Sequence, residues 1–302
     1  MAAVSVIIPT FNRAHKIARA VASVLYQTFS DYEILVVDDG SGDATPEALT
    51  PFLPRIKYVT HAKNLGVSAA RNTGIRESHS PLVAFLDSDD YWLPEKLAAQ
   101  VSFFSKNPQA VACQTEELWI RRGVRVNPMK KHLKPSGDIL EPSLRLCVVS
   151  PSAVLLKRSL LEEVGVFDEG FPVCEDYDLW LRISWKYPIW LIPEPLVIKE
   201  GGAPDQLSRR PLYLVQANLP ADLCYLVQSE FPGQHHHIAF HVVEQPAPFA
   251  VDGSSLGVRG EDPDRRVPGA GGRHGVGHQA DGGGRQDGGA QRGRLGVPGS
   301  GD

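Results

Sequence analysis

The 302-residue chain is poor in cysteine and methionine and has no long apolar run. Its four cysteines, Cys113, Cys147, Cys174 and Cys224, lie far apart and form no C-x-x-C pair. That spacing excludes a disulfide framework and a zinc knuckle, and points to a reducing cytoplasm. No segment reaches the roughly 20 apolar residues that a spanning helix needs. The amino terminus lacks a basic region, and its apolar stretch at 4–8 stops at Pro9, too short for the core of a secretion signal. A large excess of one sign of charge is missing too, with Lys+Arg at 31 and Asp+Glu at 35. A net charge of -4 leaves nothing basic enough overall to make nucleic acid the expected partner.

One absence is local: lysine occurs 11 times within residues 1–210 and not once within 211–302. Glycine fills 17 of the last 52 positions. Glycine loses the most backbone entropy on ordering, and few apolar side chains are present there to offset the loss. Residues 211–302 are therefore expected to be an atypical, low-complexity, disordered tail. The change of composition follows Gln206-Leu207-Ser208-Arg209-Arg210, and a natural flexible tail and a change of reading frame account for it equally. Within the tail, His235-His236-His237 reads as incidental. Gly275-Val276-Gly277-His278-Gln279-Ala280 imitates a dinucleotide fingerprint, but no strand precedes it.

The body alternates two periodicities. Strand-like runs at 4–8, 33–37, 56–60 and 82–86 are each followed by helical spacing. Ile17, Val21, Val24 and Leu25 form the first such stripe; Asp43 or Thr45 can cap a second before Pro46; 67–77 and 94–106 read as two more. Four such units imply an α/β fold with a mostly parallel, doubly wound sheet and helices on both faces. Beyond about 110 the pattern loosens to strand candidates at 110–115, 152–156 and 189–192, as suits a pocket for a second ligand.

Two acidic turns close strand-like runs: Asp38-Asp39 after 33–37, and Asp87-Ser88-Asp89-Asp90 after 82–86. Carboxylates at the carboxyl ends of strands sit where open α/β sheets bind ligands. Two carboxylates in one turn repel unless a cation joins them, and Mg2+ or Mn2+ needs only one or two when substrate phosphates complete its shell. Such an ion neutralises a departing nucleoside diphosphate. The bland alternative is that Asp and Ser merely make the turn and cap a helix. Asp38-Asp39 also suits a phospho-accepting receiver, but receivers carry an acid near their amino terminus, where this chain reads Pro9-Thr10-Phe11-Asn12-Arg13. An acid at the second strand end is better placed to accept from a base N–H or ribose hydroxyls.

Three further patterns follow. Gly66 permits close approach of backbone to ligand, and Arg71 offers a fork for carbonyl or phosphate oxygens, or else a surface ion pair. Glu175 and Asp176 open a helix whose apolar stripe comprises Leu179, Ile183, Trp180 and Trp185, where acids are favoured by the helix dipole alone. Arg121, Arg122, Arg125, Lys130, Lys131 and Lys134 form either a solvated loop or a contact for an anionic membrane surface or a lipid-diphosphate acceptor.

The strings VSVIIPTFNRAHKIARAVASVLYQTF, EILVVDDGSGDAT, NLGVSAARNTGI and FLDSDDYWLPEKL resemble, in that order, the nucleotide-binding half of family 2 glycosyltransferases. The resemblance runs from residue 4 to about 208. It implies a GT-A fold within 1–210, with a nucleotide-sugar half at 1–108 and an acceptor half at 109–210. It implies metal-dependent, inverting transfer from a nucleoside-diphosphate sugar, with UDP the expected nucleotide, to a hydroxyl of a saccharide or lipid-linked acceptor in cell-surface polysaccharide or glycolipid synthesis. Carried over by residue, Pro9 and Thr10 line the nucleotide pocket and Asp39 reads the base. Asn64, Gly66 and Arg71 flank the nucleotide, Asp87 and Ser88 belong to the ribose side, and Asp89 is the metal ligand. Asp176 becomes the general base and Glu175 its support or an acceptor-orienting group, with Trp180 as an apolar wall for a sugar. The pattern breaks at 199–208, where the histidine often found near a glycine-rich turn is missing. A catalytically impaired nucleotide-sugar-binding protein is the rival reading. A nucleotidyltransferase is a weaker third, because its Gly-rich amino-terminal signature is absent.

Overall fold

Four apolar runs of the amino-terminal half lie side by side as parallel strands in the computed structural model, which describes residues 2–126 and 133–201. They are β1 (Val4–Thr10), β2 (Tyr32–Asp38), β3 (Lys57–Thr60) and β4 (Leu82–Phe85), in the order β3-β2-β1-β4. All seven residues of β1 are buried, as expected of a strand covered on both faces. Val4, Val6 and Ile8 enter one apolar layer with Ile17, Val21 and Val24 of α1 (Ile17–Leu25), while Ile7 enters another with Ile75 of α3 (Val67–Arg76). Each fully buried side chain of this size contributes about 1.5–3 kcal/mol. At Gly74 an added Cβ would lie 2.4 Å from Ile7 Cγ2, so α3 packs on β1 at a distance that only glycine allows. The helix expected after Pro46 is short: α2 (Thr45–Leu49) gives way to a 3-10 turn, Thr50–Arg55. Pro51 and Pro54 deny that turn two backbone donors.

The second half comprises β5 (Tyr91–Trp92), α4 (Lys96–Lys106), β6 (Ala112–Arg121), β7 (Val124–Val126), α5 (Leu140–Arg145), β8 (Val154–Lys157), α6 (Arg158–Val164), α7 (Glu175–Lys186) and β9 (Trp190–Gly201). The sheet continues from β4 through β8, β6 and β9 to β5, with β7 paired to β6. Here the directions are mixed: β8 is antiparallel to β4 and β6, β9 is parallel to β6, and β5 is antiparallel to β9. Strands β6 and β9 are twice as long as their apolar cores suggest, because both continue through polar residues. Their register shifts around Glu116, opposite Pro195, as proline in a sheet requires a break in the ladder. Arg122 (φ 52) and Gly123 (φ 75) form the two-residue link from β6 to β7, the left-handed pair of a type I′ hairpin.

The chain divides into two units, Met1–Val243 and Glu244–Asp302, and the described residues belong to the first. Lys130 and Lys131, Cys224, the histidine run, the missing-histidine region from 202 onward, the boundary expected at 210 and the glycine-rich tail lie outside the described residues.

Candidate active site

The carboxyl ends of β1, β2 and β4 open into a cavity of about 730 Å³. Pro9, Thr10, Asp39, Asn64, Gly66, Arg71, Asp87, Ser88 and Asp89 all border it. The sheet explains the convergence: the parallel strands end on one side, so the turns that follow them face the same space. Asp39 is 3% exposed and anchors the loop that leads into α3. Its Oδ1 accepts from Leu65 N at 2.9 Å and lies 2.7 Å from His61 Nδ1, and its Oδ2 accepts from Gly66 N at 2.8 Å. One lone pair on Oδ2 is left for a ligand donor. Gly66 has φ 100, and a Cβ there would meet nothing within 4 Å, so glycine is required for its backbone conformation and leaves the space above it open. Thr10 Oγ1 is buried at the cavity wall with no hydrogen-bond partner among the described residues.

Arg71 is neither a free fork nor a surface ion pair. It is buried, and donates from one nitrogen to Asp87 Oδ1 at 2.8 Å and from the other to Glu175 Oε1 at 2.5 Å. Its guanidinium also lies over the Phe167 ring, 5.0 Å from the centroid. Burial opposes its charge, but Asp87, Glu175 and Asp176 outweigh that effect and hold its pKa above the ordinary value. Arg71 therefore ties the end of β4 to the start of α7.

Asp89 is partly buried and makes no side-chain hydrogen bond among the described residues; burial and then the charge of Asp87 raise its pKa. Asp90 also borders the cavity, but its carboxylate is already engaged. It accepts from Ser152 Oγ at 2.7 Å and from Glu200 N at 3.2 Å, and burial above all pushes its pKa well up. Two oxygen donors, Asp87 and Asp89, thus share one cavity and repel each other. Their chemistry fits a hard divalent cation completed by phosphate oxygens, although no group of three or more His, Cys, Asp or Glu ligands converges among the described residues.

Asp176 and Glu175 stand in the first turn of α7 rather than among the residues bordering the cavity. Cys174 enters that helix with φ 62. Burial first, then Glu175, raise the Asp176 carboxyl to about 7, with Arg71 pulling the other way. Glu175 is 5% exposed and committed to Arg71, which favours a supporting position over direct contact with an acceptor. Trp180 is 1% exposed and meets Phe167 edge-on at 6.4 Å, so it belongs to the core and offers no wall to a sugar. Trp185, by contrast, is 58% exposed and is no part of the apolar stripe.

The far wall comes from residues that the sequence reading had not singled out as ligands. Trp119 on β6 and Lys199 on β9 are neighbours across the parallel pair, and both border the cavity. Lys199 Nζ donates to Ser150 Oγ at 3.0 Å. Burial disfavours its charge, but Glu117, Asp90, Asp87 and Asp176 together hold its pKa above the ordinary value. The basic cluster read from the sequence also comes apart. Lys134 is buried, 3.4 Å from Glu117 Oε1, whereas Arg121 borders the cavity and Arg122 and Arg125 are exposed. One polar signal was visible in advance: a single lysine directly follows the apolar run Leu196-Val197-Ile198.

A parallel sheet with strand-end carboxylates and a mixed second half define a GT-A-type glycosyltransferase fold. The chain belongs to glycosyl transferase family 2, whose model matches residues 5–165. It is 35% identical over 181 residues to the Escherichia coli protein named UDP-Glc:alpha-D-GlcNAc-diphosphoundecaprenol beta-1,3-glucosyltransferase WfgD, covering 60% of this chain and 69% of that one. Among solved structures, S. aureus TarS 1-349 in complex with UDP-GlcNAc aligns with a TM-score of 0.60 at 19% identity, over 74% of this chain and 70% of that chain. The mannosyltransferase PcManGT from Pyrobaculum calidifontis, in complex with GDP-Man and Mn2+, aligns with a TM-score of 0.52 at 21% identity, over 75% of this chain and 62% of that one. At these identities the two structures establish the fold alone.

Proposed function

We propose that this chain is a metal-dependent, inverting glycosyltransferase that moves a sugar from a UDP-linked donor to a hydroxyl of a lipid-linked saccharide. The observation that carries this reading is the meeting of Asp39, Asp87 and Asp89 at one cavity beneath parallel strand ends. Asp39 keeps a lone pair for the base N–H, the orphaned Thr10 hydroxyl adds a polar contact, and Asp87 and Ser88 face the ribose. Asp89 would hold magnesium or manganese, which would offset charge on the diphosphate as it leaves. The named substrates of WfgD, UDP-Glc and a diphosphoundecaprenol-linked acceptor, support the donor and acceptor classes.

Asp176 receives the acceptor proton. A carboxylate held near pH 7 is matched to that task, since a base works best when its pKa lies close to the operating pH. Displacement from the face opposite the diphosphate then inverts the anomeric centre in one step. Glu175, fixed by Arg71, keeps Asp176 in place and raises its basicity. No helix among the described residues is long and apolar enough to cross a membrane, and peripheral work at the inner membrane face suits a lipid-linked acceptor. Thermal shift with UDP-sugars and Mn2+ tests donor binding, because a ligand that binds only the folded state raises its stability with occupancy. No shift with any UDP-sugar would sink the donor assignment. A shift without turnover on any acceptor would select the impaired-binder reading instead.

A further inference from the structure

One face of the β6–β7 ribbon leads out of the cavity. Trp119 and Arg121 alternate onto that face of β6, and their cross-strand partners on β7 are Val126 and Val124. Trp119 and Arg121 border the cavity, and Arg121 lies over the Trp119 ring, 6.0 Å from its centroid. Arg121 has no ion pair among the described residues. Val124 is 65% exposed at the tip. The left-handed Arg122-Gly123 link holds this tip in a tight hairpin, and residues 121–126, Arg-Arg-Gly-Val-Arg-Val, include no acid.

From Trp119 the face continues to the ribbon tip, where the Arg121 guanidinium and the exposed Val124 side chain stand side by side as cross-strand partners. A sugar ring presents C–H bonds to an aromatic face, a diphosphate matches the bidentate fork of arginine, and a prenyl chain needs apolar contact. We propose that this ribbon is the acceptor track: the acceptor's sugar rests on Trp119, its diphosphate on Arg121 and the start of its lipid on Val124. A saccharide-diphosphate-lipid has its diphosphate next to both its sugar and its lipid, and Arg121 is next to both Trp119 and Val124. The proposal rests on the glycosyltransferase reading above but assigns a different ligand to a different wall. Position commits the guanidinium to a diphosphate in place of generic anionic headgroups: Arg121, Arg122 and Arg125 are all exposed, but of the three Arg121 alone borders the cavity.

The test is co-sedimentation of the full chain with phosphatidylcholine vesicles carrying undecaprenyl diphosphate, beside vesicles of equal charge carrying phosphatidylglycerol. The diphosphate vesicles should retain the wild type at least about tenfold better, and R121A should lose on the order of tenfold, the weight of one charge-assisted contact. R121K should recover part of that loss, and V124D should weaken retention on both vesicles. With GlcNAc-diphosphoundecaprenol in the vesicles, the wild type should gain retention that W119A does not. Equal retention on the two charged vesicles, or unchanged retention of R121A, overturns the track. The thermal shift with UDP-sugars, recorded on the same variants, reports folding and separates the two readings: loss of that shift with diphosphate retention intact removes the donor assignment and leaves the track standing.

Discussion

The two halves of this sheet bury different things. The amino-terminal half fills the middles of its strands mainly with Val, Ile, Leu and Phe and keeps its acids near the strand ends, as Glu33 and Asp38 of β2, or in the turns that follow. The carboxyl-terminal half buries charge within its strands and helices: Glu117 with Lys134, Lys199 among four acids, and Glu175 on Arg71. On the proposed reading, the donor site is assembled from loops on an apolar scaffold, whereas the acceptor site is built into the scaffold itself. Changes in the first half should affect binding with little effect on folding. Changes in the second should affect both.

The largest test of that contrast is Arg71, where the halves meet. R71A leaves Asp87 and Glu175 without their cation, and removing one partner from a buried ion pair costs about 3–5 kcal/mol. Urea unfolding should show that loss, and a loss under 1 kcal/mol would mean that the halves are not tied there. D176N comes next, with turnover falling by about 10²–10⁴-fold while the UDP-sugar thermal shift persists; retained turnover would refute the assignment. The wild type should also show a pH profile. Asp176 is raised to about 7, so it holds its proton below that pH and is a base above it: kcat/KM should rise with pH and level off above about 7. A profile already flat at pH 5 would contradict this.

A smaller effect concerns donor binding alone. D89N should abolish the extra thermal stabilisation that Mn2+ gives to a UDP-sugar complex and leave the melting temperature of the free protein within a few degrees, the response of a small stability change. The smallest effect involves Lys96, fully buried over the Trp92 ring with Gln100 as its hydrogen-bond acceptor. Burial depresses its pKa from 10.5 to about 7. The native state then binds fewer protons than the unfolded chain between those values, so stability should rise as pH climbs from about 7 to 10.5. K96M should flatten that rise, as urea midpoints across the range will show.

Legibility followed the same division. Strands covered on both faces read as unbroken apolar runs, so β1, β2 and β4 were plain in the sequence, and the acids after them marked the donor cavity. Strands β6 and β9 were cut short because Glu116-Glu117 after Thr115 and Pro193-Glu194-Pro195 after Ile192 look like loop residues, although the Glu117 side chain is buried beside Lys134. Lys199 was overlooked for the same reason, a lone lysine being ordinarily a solvated one. Trp180 and Trp185 misled in opposite senses: helical spacing does not distinguish a core position from a neighbouring exposed one within a helix as aromatic as α7. Arg71 was recognised as special, but its partners Asp87 and Glu175 are 16 and 104 residues away, and pairing across such a distance leaves no local trace.

The hydrogen bond from Glu200 N to Asp90 joins residues 110 positions apart, and β5, directly after the acidic turn, pairs with β9. The acidic turn is thus pinned by the last strand described. Non-local pairing must meet its loop-closure entropy before contacts reward it, so during synthesis the first four strands can assemble early while the acidic turn stays unset. Competence to bind nucleotide should therefore emerge late, as a final, slow step once residue 201 has left the ribosome, and a chain halted before β9 would carry every donor residue without a finished place for the donor.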